Sequence, residues 1–280
     1  MLGKLLRHEW KAVWKVPTLL IGALMVASVM AGIPFLFPIW ESDWIGLPLS
    51  AVMLMLLFFA AMIATSFGIV IYLTVRYYKS MYTDEGYLTH TLPVKGRDLL
   101  LSKTIVMSVW NLISGIAVFV AMMIFYVIML FGLTTRTSIF TAEFMDALGE
   151  LRELLNSPYF EGMWGFLASL GCMMLTGAVG GSLLIMGAIN LGQMVRKHRI
   201  LGAIGAYFGF YSVMQIIVMA IMFPMMLKVV FAANHTDASE MSVFALYTPM
   251  YFVISAVYAI LAVGLYFLSE YLIRRQLELE

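Results

Sequence analysis

The chain has 280 residues, of which 62% are apolar and 12% are charged, and its formal net charge is +1. Soluble domains are about 45–50% apolar and about 25% charged, so this composition excludes a soluble globular protein and indicates a polytopic membrane protein. The near-neutral charge points to no nucleic-acid partner, and the single cysteine, Cys172, excludes an internal disulfide framework and a cysteine-based zinc site.

Residues 1–15 predict an amphipathic helix at the membrane interface. Its apolar side chains recur every three or four residues, as one helix face requires; they are Leu2, Leu5, Leu6, Trp10, Val13 and Trp14. A basic face meets anionic lipid while apolar and tryptophan side chains enter the headgroup boundary. We therefore expect lipid contacts from Trp10, Trp14, Lys4, Arg7 and Lys11. The alternative is a basic flank that only orients the first span.

Six apolar stretches follow, each at least as long as the ~20 residues that a helix needs to cross a bilayer. Their bounds are roughly Pro17 to Ile39, Ile45 to Val75, Thr104 to Leu133, Met163 to Gly192, Ile200 to Leu227 and Val243 to Ile273. None contains a charged residue or histidine before its last few positions. The chain therefore predicts an all-α membrane protein with six transmembrane helices over residues 16–275 and a short tail over 276–280.

The distribution of basic residues predicts the orientation of these helices. Most of the 17 Lys and Arg residues precede the first span or follow the second, fourth and sixth spans. Only Arg136, Arg152 and Lys228 lie in the segments on the opposite side of the membrane, after the third and fifth spans. Cytoplasmic segments are rich in Lys and Arg, so we expect both termini, including the tail, to be cytoplasmic and the protein to lie in the plasma membrane.

The connection over residues 76–103 is too apolar and too patterned for a flexible linker. Thr83, Asp84 and Glu85 resemble a helix start, where acidic side chains face free backbone N–H groups. Pro93 would end such a helix. We expect a short cytoplasmic helix nearly parallel to the membrane, between two long helices.

On the opposite side, residues 134–162 carry a second amphipathic pattern. Phe144, Leu148, Leu151 and Leu155 repeat at helical spacing among charged residues. We expect an external helical insertion that lies on the protein or on the membrane.

The motifs of common enzymes and metal sites are missing. The sequence has no phosphate-binding loop of the G-x-x-x-x-G-K-[ST] type, and on the expected topology its four histidines lie on both sides of the membrane. The chain is therefore expected to be no enzyme, with no metal and no cofactor of its own. The amides in or near the spans, Asn111, Asn190, Gln193 and Gln215, either hydrogen-bond between helices or line a pathway.

Two stretches resemble membrane subunits of type-2 ABC exporters, most closely the stand-alone permeases of Gram-positive bacteria. They are the opening MLGKLLRHEWKAVWK and the segment YKSMYTDEGYLTHTLPVKGRDLLLSK. The second contains the D-E-G-Y-L and T-L-P-V patterns of that group and the Ser102-Lys103 entry into the third span.

The resemblance implies a permease subunit that exports cargo with energy from a partner. Two such subunits, identical or sister chains, would bind two separate ATPase subunits, which hold the ATP and Mg²⁺. The helix between spans two and three would be the coupling helix, in which Tyr82, Tyr87 and Leu88 fill an apolar groove on the ATPase. Asp84 and Glu85 would pair with basic residues at the rim of this groove. Gly86 belongs to the same docking segment and separates the two acidic residues from Tyr87 and Leu88. The charge-free spans suit an apolar or amphipathic cargo: a drug, a lipid-like compound or an antimicrobial peptide.

Two other functions remain open. A secondary carrier would work without ATP, although such proteins usually place ionisable residues within the membrane. A non-transporting scaffold or sensor partner would use the same cytoplasmic segment to bind another protein. This chain also departs from the resembling group in one respect. Its longer outer insertion lies between spans three and four rather than between spans five and six.

Overall fold

The computed structural model of the chain describes residues 2–37, 44–83, 86, 96–134, 149, 160, 162–195, 198–235 and 243–275. The described residues form seven α-helices and one 3₁₀ turn, and they contain no strand. The elements are α1 (Leu2–Val13), α2 (Lys15–Gly32), the turn Ile33–Leu36, α3 (Gly46–Tyr82), α4 (Gly96–Thr134), α5 (Met163–Gly192), α6 (Arg199–His235) and α7 (Val243–Arg275).

Six of these helices are long and apolar enough to cross a membrane, which confirms the predicted number of spans. The candidate spans are Lys15–Leu36, Gly46–Tyr82, Gly96–Gly132, Met163–Gly192, Arg199–Lys228 and Tyr247–Ile273. At 1.5 Å per residue, the 39 residues of α4 are about 58 Å long. Such a helix exceeds the ~30 Å of hydrocarbon and must tilt or extend beyond it.

Helices α3 and α4 extend further into the predicted connection than their hydropathy indicates. Residues 76–82 complete α3, and residues 96–103 begin α4. The helices continue because these turns are packed: Tyr77, Met81 and Leu100 are buried although charged residues stand nearby. The predicted short helix within 84–95 falls on residues outside the described part of the chain, apart from Gly86. Most of the predicted outer insertion over 134–162 falls outside it too.

The chain divides into two compact units. The first contains residues 1–6, 76–108 and 149–280, and the second contains residues 7–75 and 109–148. Helices α3 and α4 therefore contribute one end to the first unit and their remaining length to the second.

The second unit has an apolar core between α2, α3 and α4. Leu24, Ala31, Phe58 and Ala121 are buried together there, and the ring of Phe58 stacks on that of Phe125 with centroids 5.1 Å apart. Small residues such as Ala31 and Ala121 let the helix backbones approach closely, as is common where helices pack in membranes.

Helix α1 forms as predicted, and the part of it in the second unit packs against neighbouring helices. Val13 is buried, the ring of Trp10 stacks on Trp110 at 4.8 Å, and the Tyr72 hydroxyl donates to the backbone carbonyl of Ala12. Part of the apolar face that the sequence assigned to lipid therefore contacts protein. Trp14 remains 43% exposed.

In the first unit, α5 packs along α7 and more briefly against α6. Their shared core consists of Leu183, Leu184, Met214, Ala262 and Leu265. Gly180 and Gly187 of α5 face α7 at ordinary contact distance: a Cβ on Gly180 would lie 3.4 Å from the Tyr258 ring, and one on Gly187 would lie 3.5 Å from Ser269 Oγ. Most side chains of α6 remain exposed, as expected of a lipid-facing or partner-facing helix.

Candidate functional site

Polar side chains meet at one end of the first unit, where α3 and α5 end. The hydroxyls of Tyr77 and Tyr82 both donate to Oδ1 of Asn190, over 2.8 and 2.7 Å. All three residues are buried, with at most 4% of each exposed. Buried polar groups are costly unless hydrogen-bonded, so this arrangement fixes the end of α3 against the last turn of α5.

The beginning of α4 joins the same cluster. The Lys103 ammonium donates to Oγ of Ser80 on α3 over 2.7 Å, and Lys103 is only 5% exposed. Thr104 follows Lys103, and its hydroxyl lies 3.4 Å from Sδ of Met186. Met186 is on α5, one helical turn before Asn190. The two helix ends that flank the 84–95 segment are therefore linked to each other and to α5.

An ion pair connects the beginning of α4 with the end of α7. Nε of Arg97 lies 2.8 Å from Oε1 of Glu270. The carboxylate side chain is 10% exposed, whereas the arginine side chain is 52% exposed. The pair is therefore partly screened by solvent, and it links the first turn of α4 to α7. We call Tyr77, Ser80, Tyr82, Arg97, Lys103, Asn190 and Glu270 the polar anchor.

Of the predicted docking residues, the structure describes Tyr82 and Gly86. Tyr82 is buried within its own unit rather than exposed, and its hydroxyl is bonded to Asn190. Gly86 is also buried; its N–H donates to the Thr83 carbonyl, and a Cβ there would lie 2.5 Å from the Met81 carbonyl oxygen. That approach requires glycine at position 86. Asp84, Glu85, Tyr87 and Leu88 lie outside the described residues.

The remaining predicted residues are dispersed. Lys4, Arg7 and Lys11 are exposed on α1. Asn111 is half-buried on α4 in the second unit, and Gln215 is exposed on α6 in the first. Of the predicted amides, Asn190 and Gln193 are the two that lie buried at the end of α5.

Sequence reasoning missed Ser80 and Glu270, and it treated Lys103 only as a basic residue at the entry into the third span. One signal was present: Lys103 is followed by an uninterrupted apolar helix and preceded by Leu99, Leu100 and Leu101. A lysine with apolar residues on both sides in a helix must extend to solvent or find a buried partner. The identity of that partner depends on the packing of α3.

Within the described ranges, no three His, Cys, Asp or Glu side chains are grouped as metal ligands. Comparison with protein-family models, with curated proteins and with solved structures gives no match to this chain.

Proposed function

We propose that this chain is the membrane-spanning subunit of an ATP-driven exporter of the ABC type. In this proposal it lies in the plasma membrane with both termini in the cytoplasm. A separate ATPase subunit would bind ATP and Mg²⁺, and a second permease, identical or sister, would complete the complex. The cargo would be apolar or amphipathic, such as a drug, a lipid-like compound or an antimicrobial peptide.

The observation that carries this proposal is the polar anchor on both sides of the 84–95 segment. A coupling element must pass a displacement on to the helices that line a pathway. Tyr82 connects one flank of the segment to α5, and Arg97 connects the other flank to α7. A partner that moved this segment would therefore also displace α5 and α7.

The anchor changes the role we assign to Tyr82. Its buried hydroxyl favours an internal role, in which Tyr82 anchors α3 to α5. We therefore assign the contact with the ATPase to Asp84, Glu85, Tyr87 and Leu88. Aromatic and aliphatic side chains surrounded by polar groups suit a protein–protein contact. The carboxylates would pair with basic residues at the rim of the ATPase groove.

Substitution at the proposed contact tests the assignment. Tyr87→Asp and Leu88→Asp place a charge in the proposed apolar contact, so ATPase co-purification should fall at least tenfold while the purified chain keeps its thermal stability. Tyr87→Phe and Leu88→Met are the matched controls and should retain the partner. Normal ATPase recovery with both aspartate variants would contradict the docking site.

A further inference from the structure

Asn190 in the last turn of α5, and Gln193 directly after the helix, carry buried amide atoms that have no hydrogen-bond partner among the described residues. Asn190 is 3% exposed and Gln193 is 7% exposed. Among the described residues, neither Nδ2 of Asn190 nor Nε2 and Oε1 of Gln193 has a hydrogen-bond partner. Oδ1 of Asn190, by contrast, accepts bonds from two tyrosines.

These atoms restrict what can bind them. Asn190 and Gln193 are three residues apart, so their Cβ atoms lie about 5–6 Å apart on neighbouring positions of one helix face. Their free groups include two N–H₂ donors and one carbonyl acceptor. An anion would leave the Gln193 carbonyl unpaired, and a cation would leave both donors unpaired. A water molecule both donates and accepts and is small enough for a buried position.

We propose that Asn190 and Gln193 hold an internal water site at the end of α5. One or two water molecules would accept from Asn190 Nδ2 and Gln193 Nε2 and donate to Gln193 Oε1. Ser269 on α7 supports the assignment, because it is fully buried and its Oγ has no partner among the described residues. That oxygen lies against Gly187, one turn before Asn190 on α5.

Water at this position has a structural consequence for the polar anchor. A water-mediated hydrogen bond is nearly as favourable as a direct one. The ends of α3 and α5 could then shift without leaving a buried hydroxyl or amide unpaired. The water site itself does not depend on the exporter proposal, since it follows from the amides alone.

Hydroxyl-radical footprinting of the full chain in detergent tests the site directly, because radicals formed from internal water modify side chains that bulk solvent does not reach. Buried Tyr82 should be modified several-fold faster than buried Phe58 of the apolar core, after each rate is divided by that of the unfolded chain. Equal normalised rates would overturn the proposal.

Thermal unfolding of two matched variants gives a second test. Gln193→Met keeps the shape of the side chain but removes its hydrogen bonds with water, so the unfolding midpoint should fall by about 2–4 °C. Gln215→Met changes an exposed glutamine and should leave the midpoint in place. A Gln193→Met midpoint that stays unchanged or rises would overturn the proposal, because removing a truly unpaired buried amide does not destabilise the fold.

Discussion

The Tyr82 hydroxyl donates a 2.7 Å hydrogen bond to Asn190 Oδ1 and joins the last residue of α3 to the last turn of α5. The Tyr77 hydroxyl shares the same acceptor. One buried amide oxygen therefore satisfies two buried phenols. Asn190 thus joins α5 to two positions of α3 at this end of the first unit.

Replacing Asn190 should destabilise the chain more than replacing either tyrosine. Asn190→Leu leaves two buried hydroxyls unpaired, which costs about 1–3 kcal/mol for each of them, whereas Tyr77→Phe or Tyr82→Phe loses one bond worth about 0.5–1.5 kcal/mol. Denaturant unfolding in detergent measures these free energies. In the Tyr77→Phe/Tyr82→Phe background, the effect of Asn190→Leu should shrink. An unchanged effect there would contradict the shared acceptor.

The Arg97–Glu270 ion pair should show measurable but modest coupling. Because the arginine side chain is 52% exposed, we expect about 1 kcal/mol or less in a double-mutant cycle of Arg97→Met and Glu270→Gln. The free energy of unfolding of the four proteins gives the value, and high salt should reduce it. Strict additivity at low salt would show that the pair does not stabilise the fold.

Two glycines of α5 should respond oppositely to alanine. A Cβ on Gly192 would lie 2.6 Å from Cα of Ala203 on α6, so Gly192→Ala forces two backbones apart and should destabilise by about 1–3 kcal/mol. Gly181 has open space at the Cβ position, and Gly181→Ala should be neutral or stabilising by up to about 1 kcal/mol. Thermal unfolding of the two variants checks the contrast, and equal midpoints would argue against the close approach of α5 and α6.

The packing of α1 should depend on Trp10 more than on Trp14. Trp10 stacks on Trp110, and such ring pairs contribute about 0.5–1.5 kcal/mol beyond their buried area. Hydrogen exchange of the α1 amides should therefore accelerate up to about tenfold in Trp10→Ala. Trp14→Ala removes a half-exposed ring and should change exchange little. Equal acceleration in both variants would favour a helix held by lipid rather than by Trp110.

The spans were predictable because they depend on local composition. Long apolar runs such as Met163 to Gly192 can form only a few structures in a bilayer, and α5 has those same bounds. The ends of α3 and α4 were less predictable. Arg76 and Lys103 indicated that the spans stop beside them, but Tyr77 and Leu100 are packed and the helices continue.

The polar anchor was predictable only in part. Asn190 and Gln193 were identifiable as amides in or near the spans, because polar residues there usually have a bonding role. The partners of Asn190, Tyr77 and Tyr82, lie more than a hundred positions earlier in the chain. No local pattern relates such distant residues. The contact arises only when α3 and α5 pack, and the burial of Tyr82 arises with it.

The most direct test of the central claim is purification of the tagged chain from its native membranes in mild detergent, followed by quantitative mass spectrometry. We predict an ABC-type ATPase in near-equal amount, with ATP hydrolysis by the purified complex. Any sister permease recovered with it would identify the second membrane subunit. A folded chain recovered without an ATPase would contradict the exporter and favour a carrier or a scaffold.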